Sequence, residues 1–302
     1  MTDFRRVAIV GRTGSSHVVD SLNIVVAALA TAGVELVFEE RTAAMLSRSD
    51  GVPRATVGCG VDLVVVVGGD GSILGVARDV AHAGVPVLGV NRGGLGFLAD
   101  IAPDQIAEKV AQVMAGAYRV EERFLLEASV RDVNQPPAHP GGAVGVGVAL
   151  NDVVVHAGSM SRMMDFQLFI DDEFVYEQRS DGLIISTPTG STAYALSAGG
   201  PILHPRLDAV EIVPMFPHTL TSRPLVVNGD SMISVRIGDA AATPKVSCDS
   251  QVDFALGPTD EVRIVKHRDP LRLAFPMGHS FYESCRSKLD WATRLGGRRE
   301  RS

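Results

Sequence analysis

The chain has 302 residues, enough for two domains or one large one, and its 46% apolar and 21% charged residues are ordinary for a globular protein. A net charge of −7, without a basic stripe interleaved with aromatic residues, excludes nucleic acid as the expected partner. Because no segment is apolar enough to span a bilayer, no signal segment precedes the first strand, and the three cysteines lack CxxC spacing, we expect a cytoplasmic protein with no membrane partner.

Apolar runs alternate with helical patterns over the first 120 residues. Strands are predicted at 7–10, 34–38, 63–67 and 85–90, helices at 17–32, 73–83 and 103–116, and an irregular or helical stretch at 41–60. This alternation predicts an open, mostly parallel α/β sheet. Since turns after the carboxyl ends of such strands line the ligand crevice, we expect Asp70 and Asn91 to face one site.

An acidic turn follows the most apolar of these strands, with the sequence Gly68-Gly69-Asp70-Gly71-Ser72. Glycines let a ligand approach the backbone closely, and a strand, a glycine-rich turn and a helix capped by Ser72 form a usual phosphate site on backbone amides. A carboxylate repels a phosphate, so Asp70 either accepts a proton from an attacking hydroxyl or holds Mg²⁺. The alternative is an Asp-Gly pair that only supplies the turn's backbone angles.

The first domain lacks the sequence motifs of two common phosphate-binding loops. No Lys precedes Lys109, which excludes a Walker A loop from the first domain, and the turn from Gly11 to Gly14 lacks the dinucleotide-binding spacing. We therefore expect the phosphates to bind backbone amides.

Short β-rich runs dominate the chain after Tyr118. Strands are predicted at 124–130, 143–150, 153–156, 163–170, 174–176, 183–186, 209–213, 231–237 and 262–265, with a Pro/Gly-rich connection at 134–142. This pattern predicts an antiparallel β domain such as a sandwich. A last helix, at 280–295, is expected to return to the first domain. The predicted domains are 1–120 (α/β), 121–275 (β-rich) and 276–302 (C-terminal helix and tail).

Residues 181–197 form a second dense motif. They predict a strand, a Pro-Thr-Gly turn and a helix capped by Ser191 or Thr192. Hydroxyl side chains and exposed amides suit the base edges or sugar of a nucleoside, with Tyr194 as an apolar wall. A Ser/Thr-rich capping turn without a ligand fits the same residues. His156, His204 and His218 lack metal-ligand spacing and are interpreted as ordinary histidines.

Together these motifs resemble the NAD kinases, particularly those of the Gram-negative bacterial type, over nearly the whole chain. The matching segments are residues 68–71, 91–98, 151–152, 179–182, 186–194, 197–201, 213–220 and 247–251. The acidic turn alone is shared with lipid kinases and phosphofructokinases, whereas its combination with residues 186–194 is specific.

The resemblance implies a Rossmann-like α/β domain followed by a β-sandwich-like domain, assembled as a homo-oligomer, a dimer or tetramer. It implies transfer of the γ-phosphoryl group of ATP to the 2′-OH of the adenosine ribose of NAD, giving NADP and ADP. Mg²⁺ or another divalent cation would accompany ATP. NAD would be held across both domains as a substrate, with a preference for NAD over NADH.

The resemblance also implies roles for individual residues. Asp70 matches the proton acceptor, Gly71 its neighbour at the ribose, and Gly68 and Gly69 the rest of the phosphate turn. Asn151 and Asp152 match a pair at the adenine and its ribose, with Asp152 where Glu is commoner. The further NAD contacts implied are Arg162, Asp181, Thr192, Ala193, Tyr194, Ala195, Leu196, Ser197 and Gln251. Arg179 resembles the Arg of enzymes that accept NAD and reject NADH. No metal ligand is assigned.

Two other functions compete with this one. The first is a related enzyme that phosphorylates a lipid or sugar hydroxyl, which for a lipid would call for a membrane-docking segment. The second is a dinucleotide sensor that keeps the pockets and has no turnover.

Overall fold

A computed structural model describes residues 4–92, 96–132, 145–158, 163–219, 221–240, 243–289 and 291. The chain divides into two compact units, residues 1–121 with 272–302, and residues 122–271. Three predicted features lie outside the described residues: the connection at 134–142, Arg162, and the helix beyond residue 291.

The first unit is built on a seven-stranded sheet. Its strands, in spatial order, are Gly51–Val52, Glu35–Glu39, Arg6–Gly11, Leu63–Gly68, Pro86–Asn91, Leu271–Pro276 and Tyr118–Arg123. The pairs among the first six are all parallel, which confirms the predicted α/β sheet. Every residue of Leu63–Gly68 is buried, as expected for a central strand of a parallel sheet.

Helices of the first unit pack their apolar stripes on this sheet. The α-helices are Ser16–Thr31, Glu40–Met45, Asp70–Val80, Ile106–Met114 and Phe281–Lys288, and short 3₁₀ turns lie at Arg54–Thr56, Ala81–Ala83 and Pro103–Gln105. In the first helix Val18, Leu22, Val25 and Leu29 are buried, at the spacing of one helical face.

The helix after the acidic turn begins earlier than predicted. It spans Asp70–Val80 with Gly69 at the N-cap, and the Ser72 amide donates to the Gly69 carbonyl at 2.9 Å. The prediction that Ser72 caps this helix is therefore wrong. Asp70 itself lies in the first turn of the helix, where the helix dipole favours an acidic side chain.

The second unit is a sandwich of two six-stranded antiparallel sheets. One sheet has the order Glu173–Ser180, Met164–Ile170, Ile233–Ala240, Asp260–Lys266, Leu126–Asp132 and Gly145–Ala149. The other has the order Leu225–Asn228, Ala209–Met215, Gly182–Ser186, Asp152–His156, Lys245–Cys248 and Val252–Ala255. Buried side chains from both sheets form one core, with Phe166 and Leu168 from the first and Val153 and Ile185 from the second.

The end of the chain departs from the predicted boundary at residue 275. Strand Leu271–Pro276 runs parallel to Pro86–Asn91 in the sheet of the first unit, and helix Phe281–Lys288 belongs to the same unit. Within the described ranges, no helix is long and apolar enough to cross a membrane.

Candidate active site

Asp70 stands at the carboxyl end of the central strand of the first unit. Its carboxylate accepts three consecutive backbone N–H groups: Oδ2 accepts from Phe97 at 2.7 Å, and Oδ1 from Leu98 at 3.1 Å and Ala99 at 3.0 Å. The side chain is 29% exposed. Oδ2 takes a single amide, so a lone pair remains on this oxygen for another donor.

The glycines around Asp70 divide into two kinds. A Cβ at Gly68 would collide with Ser72 and a Cβ at Gly96 with the Asp70 carboxylate, so these two positions permit close packing. A Cβ at Gly69 or Gly71 would meet no atom within 4 Å. Gly69 and Gly71, on either side of Asp70, therefore border open space, as a phosphate-binding backbone requires.

Asn91 ends the neighbouring strand, in register with Gly68. Asn91 is 3% exposed. The amide of the next residue, Arg92, donates to the Gly68 carbonyl at 2.7 Å. Asp70 and Asn91 thus lie at the carboxyl ends of adjacent parallel strands, and that they face one site stays a prediction.

Lys288 is a cation beside Asp70 that the sequence analysis missed. Its Nζ lies 3.7 Å from Asp70 Oδ2 and 4.2 Å from the centre of the Phe97 ring. Burial lowers the pKa of Lys288, and the neighbouring Asp70 carboxylate opposes that shift. Helical periodicity alone gave no sign that the last helix would bring an ammonium group to this turn.

A cavity of about 650 Å³ lies in the second unit, within the size range of small-molecule sites. Two predicted contacts, Asp181 and Tyr194, line it. Other lining residues are Val154, His156, Met215, Phe216 and Ser247. Burial is the main cause that lowers the pKa of His156, which favours its neutral imidazole. From its spacing His156 is predicted to be an ordinary histidine, and nothing in the sequence signals its place in the wall of this cavity.

Phe216 lies at the same cavity with an unusual backbone. Its φ is 46°, in the left-handed region that a bulky side chain seldom adopts, and the residue is 77% exposed. Two partly exposed rings, Tyr194 and Phe216, therefore border a cavity large enough for a nucleoside.

The hydroxyl-rich turn is more internally bonded than predicted. Thr187 Oγ1 donates to the Leu150 carbonyl at 2.6 Å, and Ser191 Oγ donates to the Pro188 carbonyl at 2.7 Å and accepts from the Leu203 amide at 2.9 Å. A 3₁₀ turn, Gly190–Thr192, precedes a four-residue helix, Tyr194–Ser197. The predicted cap by Ser191 or Thr192 is wrong, because neither side chain caps this helix and Ser191 instead ties two buried backbone segments together.

Three polar residues lie side by side on neighbouring strands of the sheet that contains Gly182–Ser186. Ser186 pairs in register with Asp152 on one side and with Glu211 on the other. Glu211 is 0% exposed, and neither of its carboxylate oxygens has a hydrogen-bond partner in the described structure. Burial, with the nearby Asp152, raises the pKa of Glu211 to about 8. Burial, with the nearby Asp249, raises the pKa of Asp152 to about 7. Glu211 was missed, although an acid inside the apolar run 209–213 was a visible signal.

Asp249 holds the start of strand Asp152–His156. Its Oδ2 accepts from the Leu150 amide at 2.9 Å, and Oδ1 accepts from Asn151 at 2.8 Å and Asp152 at 3.2 Å. The Asn151 carbonyl in turn accepts from Ser186 Oγ at 3.1 Å and the Thr187 amide at 2.9 Å. The backbone of the predicted Asn151–Asp152 pair is therefore rigidly fixed.

Not all predicted NAD contacts converge on the cavity. Among the described contacts predicted in the second unit, Asp181 and Tyr194 line it, and the following do not: Asn151, Asp152, Arg179, Thr192, Ala193, Ala195, Leu196, Ser197 and Gln251. The Arg179 side chain is 62% exposed, with Nε 3.8 Å from Asp165 Oδ1. In the run 192–197, Ala195 is buried against Val154, Ile184 and Val213, while Tyr194 and Ser197 are exposed.

Metal ligands are not clustered in the described residues, where no group of three His, Cys, Asp or Glu could hold a metal ion. Both oxygens of Asp70 face N–H donors, and an ammonium group stands beside them. These donors occupy most of the lone pairs of Asp70, which disfavours this carboxylate as a metal ligand.

An acid in a phosphate-type turn and a nucleoside-sized cavity are features of nucleotide-dependent transferases. Residues 7–118 match the family model of the ATP-NAD kinase N-terminal domain, and residues 150–274 match that of the ATP-NAD kinase C-terminal domain. The chain is 50% identical over 302 residues to an NAD kinase of Pseudomonas entomophila, covering 99% of both chains. It is 49% identical over 300 residues to an NAD kinase of Chromohalobacter salexigens, covering 98% of this chain and all of that one.

Solved structures agree in fold. A yeast NADH kinase complexed with NADH superposes with a TM-score of 0.82 at 22% identity, covering 97% of this chain and 90% of that one. An NAD kinase from Archaeoglobus fulgidus in complex with ATP gives a TM-score of 0.71 at 25% identity, covering 94% and 97%. The chain is thus a kinase. It belongs to the NAD kinase family.

Proposed function

We propose that this protein transfers the γ-phosphoryl group of Mg-ATP to the 2′-OH of the adenosine ribose of NAD, giving NADP and ADP. Its family membership and its likeness to an archaeal relative described with ATP support the proposal. The observation that carries it is Asp70, a partly exposed carboxylate held by three amides at the end of a buried strand.

Asp70 is proposed as the proton acceptor. A ribose hydroxyl is a poor nucleophile near neutral pH, and a positioned carboxylate contributes roughly 10²–10⁴-fold to such a step. The hydroxyl proton passes to Oδ2, which keeps a free lone pair, while the ribose oxygen bonds to the γ-phosphorus. The bond from that phosphorus to the β–γ bridging oxygen breaks, and its electron pair leaves with ADP. Gly68, Gly69 and Gly71 are proposed to present their amides to the phosphates.

The cavity of the second unit is proposed to bind a nucleoside part of NAD. Tyr194 and Phe216 offer rings for stacking, and Asp181 offers a carboxylate to an amide or hydroxyl donor. The run Thr192 to Ser197, with Ala193, Ala195 and Leu196, and also Gln251 and Arg162, are proposed as further contacts on the family resemblance. The pair Asn151 and Asp152 is proposed to approach the adenine and its ribose, its backbone fixed by Asp249.

A divalent cation, Mg²⁺ first, is proposed to arrive bound to the phosphates of ATP. The donor environment of Asp70 favours this over a protein-built metal cage, and Mg²⁺ characteristically keeps several waters beside substrate phosphates. No step above depends on a protein ligand to the metal.

Selectivity for NAD over NADH is proposed to involve Arg179, on the family resemblance.

Three free cysteines suit the cytoplasm as the proposed location. Assembly into a dimer or tetramer is proposed because edge strands of both sandwich sheets expose apolar side chains, Phe174 and Val226 among them. Sedimentation of the purified protein at the mass of one 32.0 kDa chain would contradict this assembly.

The deciding experiment incubates the protein with Mg-ATP and NAD and detects NADP with an NADP-specific dehydrogenase. We expect NADP to form in proportion to ADP. Folded protein that yields no NADP and phosphorylates a lipid or sugar hydroxyl would support the related-enzyme alternative. Binding of NAD without any turnover would support the sensor alternative.

A further inference from the structure

The acidic turn carries a charge problem that its amides do not remove. ATP brings several negative charges to a turn that already contains the Asp70 carboxylate, and the turn from Gly68 to Ser72 contains no basic residue. Phosphoryl transfer depends on positive charge at the transferring group. Arg92 adjoins the turn through its backbone, but its guanidinium donates to Ser21 Oγ.

The last helix of the first unit brings a cation to this place. Ser284 and Cys285 are buried and anchor the helix Phe281–Lys288, and the Phe281 ring lies 6.2 Å from that of Phe97. One turn further along, the Lys288 ammonium lies over the Phe97 ring, 3.7 Å from Asp70 Oδ2. Its side chain is 20% exposed, so Lys288 is largely buried at the turn and keeps some access to solvent.

We propose that Lys288 is a phosphate-binding residue that supplies positive charge to the γ-phosphoryl group of ATP during transfer. The inference rests on the proposed function and adds a residue to it. No other described residue joins an ammonium group to Asp70.

The hydrogen bonding of Asp70 explains how one ammonium can serve this role. Backbone amides at 2.7–3.1 Å make the tight bonds to the carboxylate, and Lys288, at 3.7 Å, is a looser partner. Lys288 can therefore turn to a phosphate oxygen without breaking the bonds that hold Asp70. Its contact with the Phe97 ring keeps the ammonium near the turn while it does so.

Proton transfer to Asp70 favours the movement of the Lys288 ammonium from Asp70 to a phosphate oxygen. When Asp70 accepts the hydroxyl proton its negative charge disappears, and Lys288 loses its anionic neighbour. The phosphoryl oxygens carry the remaining negative charge at that moment. The ammonium then interacts more strongly with the transferring group than in the ground state, which is the condition for raising kcat.

The experiment compares Lys288→Met, which keeps the aliphatic stem, with Lys288→Arg, which keeps the charge. Arg286→Met is the matched control, because it removes an exposed cation from the same helix. For each protein, kcat and the KM values for ATP and NAD are measured, together with the thermal unfolding midpoint. We expect Lys288→Met to lower kcat by about 10²-fold with little change in the KM for NAD, as for other charge-stabilising donors. Lys288→Arg should be at least about tenfold faster than Lys288→Met, and Arg286→Met should match the wild type.

Two results would overturn the inference: unchanged kcat in Lys288→Met, or equal losses in the folded Met and Arg variants. If Lys288→Met does not fold, Lys288→Gln takes its place with the same expectations. A wild-type protein that makes no NADP would instead contradict the proposed function. Active wild type with fully active Lys288→Met contradicts the role of Lys288 alone.

Discussion

Among the described residues, each unit of the molecule has an aspartate that accepts three consecutive backbone N–H groups. Asp70 binds the amides of residues 97–99, and Asp249 binds those of residues 150–152. In both, Oδ2 takes the first amide and Oδ1 the other two. The difference lies in the surroundings: Asp249 is 6% exposed, whereas the Asp70 side chain is 29% exposed and has an ammonium group beside it.

This comparison shows that the hydrogen-bond pattern by itself does not mark a reactive group. A carboxylate saturated with amides is a good way to hold a loop, and Asp249 does this for the Asn151–Asp152 pair. Solvent access and a neighbouring ammonium group are what Asp70 adds. This difference is why the proposed function has its reaction chemistry in the first unit and its ligand recognition in the second.

The largest expected effect is the loss of kcat on replacing Asp70, compared with the same replacement at Asp249. Asp70→Asn should lower kcat by about 10²–10⁴-fold because an amide cannot take the hydroxyl proton. Asp249→Asn is the matched variant, and it should lower the stability of the second unit by about 1–3 kcal/mol, since an NH₂ group would face amide donors. Steady-state kinetics and thermal unfolding separate the two effects. Equal kcat losses in both folded variants would show that Asp70 acts only by holding its loop.

The local sequence predicts a role for Asp70 and none for Asp249. Asp70 stood out because an acid among glycines after an apolar strand is chemically unusual. Asp249 and Lys288 did not, because their partners are remote in sequence and no local period records such contacts. Strand Leu271–Pro276 was not predicted, and the boundary at residue 275 was placed too late, because a short apolar run does not reveal which sheet it joins.

A third carboxyl group sharpens the comparison because it lacks amide donors altogether. Burial raises the pKa of Glu211 to about 8, so the folded state binds more protons than the unfolded state between about pH 4 and pH 8. Its contribution to stability is complete below the unfolded pKa and is lost as pH rises through about 8. The free energy of unfolding should therefore fall more steeply with pH in the wild type than in Glu211→Gln.

Denaturant unfolding at pH 5, 7 and 9 measures this difference. The two proteins should be nearly equal at pH 5, where a protonated Glu resembles Gln, and Glu211→Gln should be more stable by about 1–3 kcal/mol at pH 9. Parallel stability curves would show that Glu211 finds a partner that compensates its charge.

Recognition by the second unit is tested at Tyr194. Removing the ring in Tyr194→Ala should raise the KM for NAD by about 2–10-fold, because a ring contact contributes about 0.5–1.5 kcal/mol beyond burial. The value of kcat should change little if chemistry belongs to the first unit. Tyr194→Phe is the matched control and should retain the wild-type KM. An unaltered KM in Tyr194→Ala would remove this ring from the NAD site.

The smallest expected effect concerns selectivity and Arg179. Its pair with Asp165 is exposed and 3.8 Å long, so it contributes little to stability, and losing it should leave the fold intact. Arg179→Gly should raise the ratio of kcat/KM for NADH to that for NAD by about fivefold, or roughly 1 kcal/mol. Arg179→Lys keeps a charge at this position and should stay closer to the wild type. A ratio that is unmoved in Arg179→Gly would mean that discrimination between NAD and NADH arises at other residues.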